Sequence, residues 1–387
     1  MHVMQAIDSL HGGGAEISLL EMIPVLADKG VRTSIVTFVD DDGALENRVG
    51  ELGISPIRIR QRAPQARMLA LRKIVRAEAP DILQTTLWHS TLTGRFSARS
   101  NHTPVVTTLA NDDYGLEHRA NSAYGPLSVR ALYAADLMTA RLTTRFHAIS
   151  GEVARTMSAR LRIPGERVQV VYRGRDPARL GTRTAARRAR VRQELSLDLD
   201  IPIVLSVGRL DRQKGVETTV AAFRIVRSRL PDAVLLVAGR PGNASDAVTS
   251  AALGVPGIRM LGHRSDVPDL MCAADVLSFP SRWEGLGGTL IEAMALGLPI
   301  VASRIGPVDE AIGTVGWPLV PPDDPSALAE ELIGILRGAN VQARTEAGVQ
   351  RFSASFTVDA AADGMIDLYR RALGDSLIEP RISRPCS

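Results

Sequence analysis

Cysteine is nearly absent from this chain of 387 residues: Cys272 and Cys386 are the two present. They are too few for a disulfide framework, and a cytoplasmic compartment is the expectation. Aromatic residues make up 4% of the chain, which argues against recognition of single-stranded nucleic acid, where stacking platforms are needed as well as charge. Lysine is scarcer still, occurring only at Lys29, Lys73 and Lys214, so arginine carries almost all of the positive charge. With 46 basic and 42 acidic residues the formal charge is +4, too small to imply a polyanionic partner. No uncharged run approaches the roughly 18 apolar residues of a membrane-spanning helix, and Met1–Met4 shows no basic stretch ahead of an apolar one. The chain is expected to be neither exported nor membrane-spanning.

Apolar residues at 45% and charged residues at 23% describe an ordinary globular protein, and the length suits two α/β domains. Short apolar runs alternate with amphipathic stretches from end to end, the pattern of βα units around parallel sheets. Strands are expected at 3–8, 31–39, 81–86, 105–109, 146–149 and 168–172, with a helix from Ala15 to about Lys29 ended by Gly30. An arginine- and alanine-rich stretch follows Gly174, and the alternation then restarts with strands at 203–207, 233–238, 258–261, 276–279 and 300–302. Two Rossmann-like domains are expected, over residues 1–180 and 181–357, with a last helix from Val358 to about Leu373 and a frayed tail from Glu379.

Several strand ends carry residues suited to chemistry. Gly12-Gly13-Gly14 precedes a helix, so backbone amides can approach an anion there; a plain tight turn fits equally well. The second-domain loop Gly208-Arg209-Leu210-Asp211-Arg212-Gln213-Lys214-Gly215 sets an arginine fork and the one C-terminal lysine at the carboxyl edge of a sheet, where ligands gather. A diphosphate matches that pair, against the alternative of a solvated charged loop. In Glu284-Gly285-Leu286-Gly287-Gly288-Thr289-Leu290-Ile291-Glu292 a glycine-rich turn opens a helix, with two carboxylates able to accept from hydroxyls of a sugar or ribose. Thr289 to Glu292 also matches a capping box, in which the glutamate serves only its own helix. Gly262-His263-Arg264-Ser265-Asp266 could lie against a planar base, or form a turn in which Asp266 caps the next helix. His89 and His147 fall near the inner edge of the first sheet as structural or reactive residues. The acidic runs Asp40-Asp41-Asp42, Asp112-Asp113 and Asp323-Asp324 lack companion ligands, so no metal is assigned.

Taken together, Gly12 to Glu16, Val171 to Asp176, Gly208-Arg209-Leu210 with Lys214-Gly215, Leu261 to Val267, and Glu284 to Gly287 with Glu292-Ala293-Met294-Ala295 resemble the retaining GT-B glycosyltransferases of family four, glycosyl transferases group 1. The resemblance implies an α/β GT-B architecture, two Rossmann-like domains facing across a cleft, and transfer of a sugar from a nucleoside-diphosphate sugar, UDP favoured, with no further cofactor. It implies that Arg209 and Lys214 hold the diphosphate, Glu292 the ribose, the His263-Arg264 loop the base, and Glu284 with the Gly285 to Gly288 amides the donor sugar. Gly13 and Gly14 would close on the donor, and the last helix would cross back to the first domain. It also implies same-face attack, in which the departing phosphate oxygen takes the acceptor proton, with no protein nucleophile and no metal.

One departure stands out. Where relatives of this kind carry a histidine after the strand at 105–109, this chain reads Ala110-Asn111-Asp112-Asp113. Asn111, Asp112, His89 or His147 then become the acceptor-side candidates, and a nucleotide-sugar-binding protein without turnover, or a nucleotide-sugar epimerase, stays open as an alternative. The acceptor is open among a small molecule, a glycan and a lipid-linked sugar. The arginines at 58, 60, 62, 67, 72 and 76 would suit peripheral contact with anionic lipid, or form a merely solvated face.

Overall fold

A computed structural model describes residues 1–38, 45–99, 101–121, 125–339 and 341–378. Val39, Asp40-Asp41-Asp42 and the tail from Glu379, which includes Cys386, lie outside the described residues. The chain forms two compact units, one of Met1–Gly174 with the segment from Val358, the other of Arg175–Thr357. The division falls ahead of residue 180 because the Arg175 amide donates to the Phe356 carbonyl at 2.9 Å. Arg187 Nη1 likewise holds the Leu180 carbonyl at 2.8 Å, within the second unit.

The first unit carries strands β1 (His2–Ile7), β2 (Arg32–Thr37), β3 (Ile57–Arg58), β4 (Ile82–Thr86), β5 (Val105–Leu109), β6 (Arg145–Ala148) and β7 (Val168–Val170). They form one parallel sheet in the order β3-β2-β1-β4-β5-β6-β7. Every residue of β1 is buried, as expected for a strand covered on both faces. Alternation sends Val3 towards the Val358–Ile378 helix, where it packs with Met365, Leu368 and Tyr369. Met4 and Ala6 point to the other face, against Leu71 and Val75 of the Pro64–Glu78 helix.

The second unit carries β8 (Ile203–Val207), β9 (Val234–Ala238), β10 (Ile258–Gly262), β11 (Val276–Phe279), β12 (Ile300–Ser303) and β13 (Leu319–Val320), parallel in the order β10-β9-β8-β11-β12-β13. Val204, Leu235, Val276 and Val301 pack under Val220, Phe223, Leu328 and Leu332 from two covering helices.

The arginines turn inward here. On the Ala185–Glu194 helix, Arg187 pairs with Asp269 at 2.6 Å and Arg188 with Asp275 at 2.6 Å. Arg192 is fully buried. It donates to the carbonyls of Ala273, Asp198, Leu199 and Ile201 and to the Asp275 carboxylate, at 2.6 to 3.0 Å. Five donors in a fixed fork let one side chain satisfy a cluster of carbonyls that the fold would otherwise bury unpaired.

In the first unit a buried arginine gathers mainly side-chain oxygens instead. Arg95, fully buried, donates through Nη1 to Asp136 Oδ1 at 2.5 Å and through Nε to Thr143 Oγ1 at 2.8 Å. Tyr114 Oη donates to the other Asp136 oxygen at 2.8 Å, so the ion pair anchors the loop that follows β5. Removing one member leaves the other charge buried alone, so Asp136→Leu is expected to cost about 3–5 kcal/mol. Adding Arg95→Met should restore much of that loss, as read from urea unfolding of the single and double variants.

Candidate active site

A parallel sheet whose strand order reverses opens a crevice at the carboxyl ends of the two strands flanking the reversal. In the second unit that point lies between β8 and β11, paired through Val204–Val276 and Leu205–Leu277. The loops singled out after these strands therefore meet. Lys214 ion-pairs with Glu284, 70 residues away in sequence. The Ser281 hydroxyl donates to the same Glu284 oxygen at 2.9 Å, and Lys214 Nζ lies 5.5 Å from the Phe279 ring centroid. Glu284 is buried and Lys214 partly so.

The two loops are tied by their backbones as well. Gln213 Nε2 donates to the Trp283 carbonyl at 2.9 Å, and the Arg282 amide donates to the Gln213 carbonyl at 2.8 Å. Arg282 then spans Glu217 at 2.7 Å and Asp323 at 2.6 Å. Gly215 is required at this crossing: its φ is +59°, and a β-carbon there would collide with the Pro280 carbonyl oxygen. Gly208 packs against the Lys214 stem. Arg209 has a side chain 62% exposed, pairing with Asp211 at 2.9 Å, so its fork stands at the mouth of the loop.

The helix after β11 runs Gly288–Ala295, and its N-cap is Gly287, which brings no capping side chain. The capping box does not form. Glu292 instead accepts from Arg175 Nε at 2.7 Å. Gly285 and Leu286 are buried within the same turn. Positively poised amides at an uncapped helix start, one lysine and one exposed arginine thus converge on the crevice, an arrangement suited to anionic oxygens.

The base-side candidates sit at the sheet edge, after β10. His263 is exposed, with Arg240 Nε 3.4 Å from its Nδ1. Arg264 grips Asp266 through two bonds of 2.7 and 2.5 Å, which leaves Asp266 without a side-chain cap bond to the Val267–Ala273 helix.

In the first unit the reversal lies between β1 and β4. Gly13 is the N-cap of the Gly14–Asp28 helix after β1, and Arg173 Nη1 would lie 3.3 Å from a β-carbon on Gly14. His89 is exposed at the start of the Trp88–Arg99 helix. Asp8, not anticipated from the sequence, holds that helix start through the His89 and Ser90 amides at 3.1 and 2.7 Å. Asn111 Oδ1 accepts from the Asp112 amide at 3.0 Å, and Asp112 is gripped by Arg160 at 2.7 and 2.9 Å. Next to it, burial and the Asp136 and Asp112 carboxylates push Asp113 up to about 7. Of the expected basic face, Arg60, Arg62, Arg72 and Arg76 are exposed. Arg58 pairs with Glu46, and Arg67 donates to the Gln61 carbonyl at 2.7 Å. Among the described residues no helix is long and apolar enough to cross a membrane, and no cluster of three or more metal-ligating side chains occurs.

His147 ends a buried ladder of hydrogen bonds across the sheet. Gln5 on β1 donates to Gln84 on β4 at 3.1 Å, and Gln84 donates to Thr108 on β5 at 2.9 Å. Thr108 Oγ1 lies 3.4 Å from His147 Nδ1, whose ring reaches the Val171 carbonyl through Nε2 at 2.9 Å. Tyr369, from the last helix, closes the ladder on Gln5 and Gln84. Gln5, Gln84, Thr108 and His147 line a recess of about 50 Å³ that also touches Arg173 and Gly174.

Two family descriptions match the chain: "Glycosyl transferases group 1" over residues 201–338 and "Glycosyltransferase Family 4" over residues 12–179. A D-inositol 3-phosphate glycosyltransferase of Xylanimonas cellulosilytica is 27% identical over 394 residues, 93% of this chain and 92% of the relative. An alpha-D-kanosaminyltransferase of Streptomyces kanamyceticus is 30% identical over 224 residues, 55% of this chain and 57% of that one. Among solved structures, Anabaena Alr3699/HepE in complex with UDP superposes with a TM-score of 0.80 at 19% identity, covering 96% of this chain and all of that one. The two parallel-sheet Rossmann-like units are thus those of GT-B structures.

Burial pushes the His147 imidazole down from 6.5 to about 4, despite the Val171 hydrogen bond. An unfolded chain binds that proton more readily, so the contribution to stability is full above about pH 6.5 and is lost as the pH falls towards 4. The loss reaches about 3 kcal/mol at pH 4. His147→Gln removes the titration, and its urea midpoint should fall less than that of the wild type between about pH 7 and pH 4.5.

Proposed function

Because this chain belongs to family 4 of the glycosyltransferases and is a glycosyltransferase, we propose how its own residues carry the transfer. The donor is a nucleoside-diphosphate sugar, with UDP-sugars first. The acceptor gives up one hydroxyl proton, and the anomeric configuration is retained without a metal. The observation that carries this reading is the meeting of Lys214 with Glu284 beside the uncapped Gly288–Ala295 helix, at the point where the strand order of the second unit reverses.

Cleaving the bond from sugar C1 to phosphate leaves negative charge on the diphosphate and positive charge on the ring. Arg209 at the loop mouth, Lys214 beneath it and the helix amides supply countercharge that is in place before the bond breaks. Lys214 then exchanges part of its pairing with Glu284 for a phosphate oxygen, and the Glu284 carboxylate so released accepts from a donor-sugar hydroxyl. A buried ion pair is a poor device for stability alone, because desolvation offsets its attraction; as a pair that opens to a charged substrate it has a use. The departing phosphate oxygen takes the acceptor proton, which accounts for same-face attack without a protein nucleophile.

The acceptor is assigned to the first unit, around His89, Asn111, Asp112 and the His147 recess. Inositol 3-phosphate is the first acceptor to test, since a relative matched over nearly its whole length is named for it. The absent histidine after β5 motivates the alternative reading, a nucleotide-sugar-binding protein without turnover, and any glycosylated product excludes that alternative. Lys214→Ala and Arg209→Ala are each expected to lower kcat/KM by about 10²- to 10³-fold, roughly 2.7–4 kcal/mol. Chelator should leave the rate unchanged, and NMR of the product should show the donor's anomer. Wild-type rates in both variants would overturn the assignment of the diphosphate.

A further inference from the structure

We propose that Arg175 is a positioning residue for the donor, holding Glu292 in the orientation that reads the nucleotide ribose. The proposal rests on the reading of Glu292 as the ribose-binding carboxylate and deepens it. Arg175 opens the second unit, and its backbone is pinned there by the bond to the Phe356 carbonyl and by a parallel bridge to Thr357. Its side chain is 4% exposed and gives Nε to Glu292 Oε1 at 2.7 Å, while Glu292 itself is 19% exposed. The guanidinium runs across the first residue of the Gly288–Ala295 helix so closely that a β-carbon on Gly288 would collide with Nη2.

Helix stability does not account for this arrangement. A cation over a helix N-terminus opposes the helix dipole, and the capping role that the Thr289–Glu292 spacing offers is left unused. What the contact does achieve is geometric. Glutamate has three rotatable bonds, and a planar guanidinium that never loses its proton fixes one carboxylate oxygen in direction. A carboxylate held in this way can accept charge-assisted bonds from ribose hydroxyls without first being ordered by the ligand. Lysine, a mobile point charge, would supply the charge without the plane.

The test is the preference for ribo- over 2′-deoxyribo-nucleoside diphosphates, measured by calorimetry with UDP, GDP and ADP and their 2′-deoxy forms; the pair that binds the wild type is carried to the variants. The wild type should favour the ribo form by about 10- to 100-fold. In Arg175→Met that preference should fall to about threefold or less, with the 2′-deoxy affinity nearly unchanged, since a loss of folding would weaken both ligands together. Gly288→Ala, which displaces the guanidinium without removing it, should act in the same direction, and Arg175→Lys should restore the preference only in part. If Arg175→Met does not fold, Arg175→Lys and Gly288→Ala carry the test. A wild-type preference retained in the folded variants, while Glu292→Ala abolishes it, would overturn the role of Arg175 and leave Glu292 as the ribose reader. A preference that survives Glu292→Ala, or is absent from the wild type, would overturn the ribose reading and the role of Arg175 together.

Discussion

The pairing of β8 with β11 is the constraint on which the rest of the candidate site depends. These strands are neighbours only because the chain lays β9 and β10 to one side of β8 and β12 and β13 to the other. Their carboxyl ends then deliver two loops to one place. Lys214 and Glu284 meet there, Gly215 allows the Pro280 backbone to approach, and Arg282 ties the crossing to Glu217 and Asp323. The sheet core under these loops is aliphatic and closely packed, which gives the charged groups a rigid floor. The polar parts are costly to bury, and in the proposed function a charged ligand at this edge compensates them.

The chain divides its two kinds of cation by task. Arginine, with five donors in a plane, gathers buried carbonyls and carboxylates, as Arg192 and Arg95 do, or fixes a carboxylate, as Arg160 does with Asp112. Lysine in the second unit occurs only at Lys214. For the exchange of partners proposed for Lys214, a compact, flexible ammonium is the better group, whereas an arginine fork locked on Glu284 would hold it. The scarcity of lysine is therefore informative at one position, even though the excess of arginine is structural at most others.

Much of this was legible beforehand, and what escaped did so for physical reasons. Strands such as Val105–Leu109, Ile203–Val207 and Val276–Phe279 are short runs of β-branched and apolar residues broken only by Thr or Ser, and their limits coincide with expectation. The edge strands β3 and β13 are two residues long, too short for any periodicity. The loops of the candidate site were visible through their glycines and charges, but their partners were not. Nothing local says that Glu292 would decline its capping box for Arg175, since that choice depends on a chain segment more than a hundred residues away. The same holds for His147, whose ladder through Thr108, Gln84 and Gln5 depends on the register of four strands. Asp8 carried no motif and Asp113 stood only in an acidic run; the helix start beside the one and the carboxylates beside the other are brought there by folding.

If the loops after β8 and β11 form one anion-binding site, saturating UDP should protect both from hydrogen–deuterium exchange in the whole protein. Exchange should slow in the segments 208–216 and 281–292 together, while the loop between β12 and β13 stays unchanged. Protection confined to other loops, with both of those segments exchanging as in the free protein, would contradict the single site.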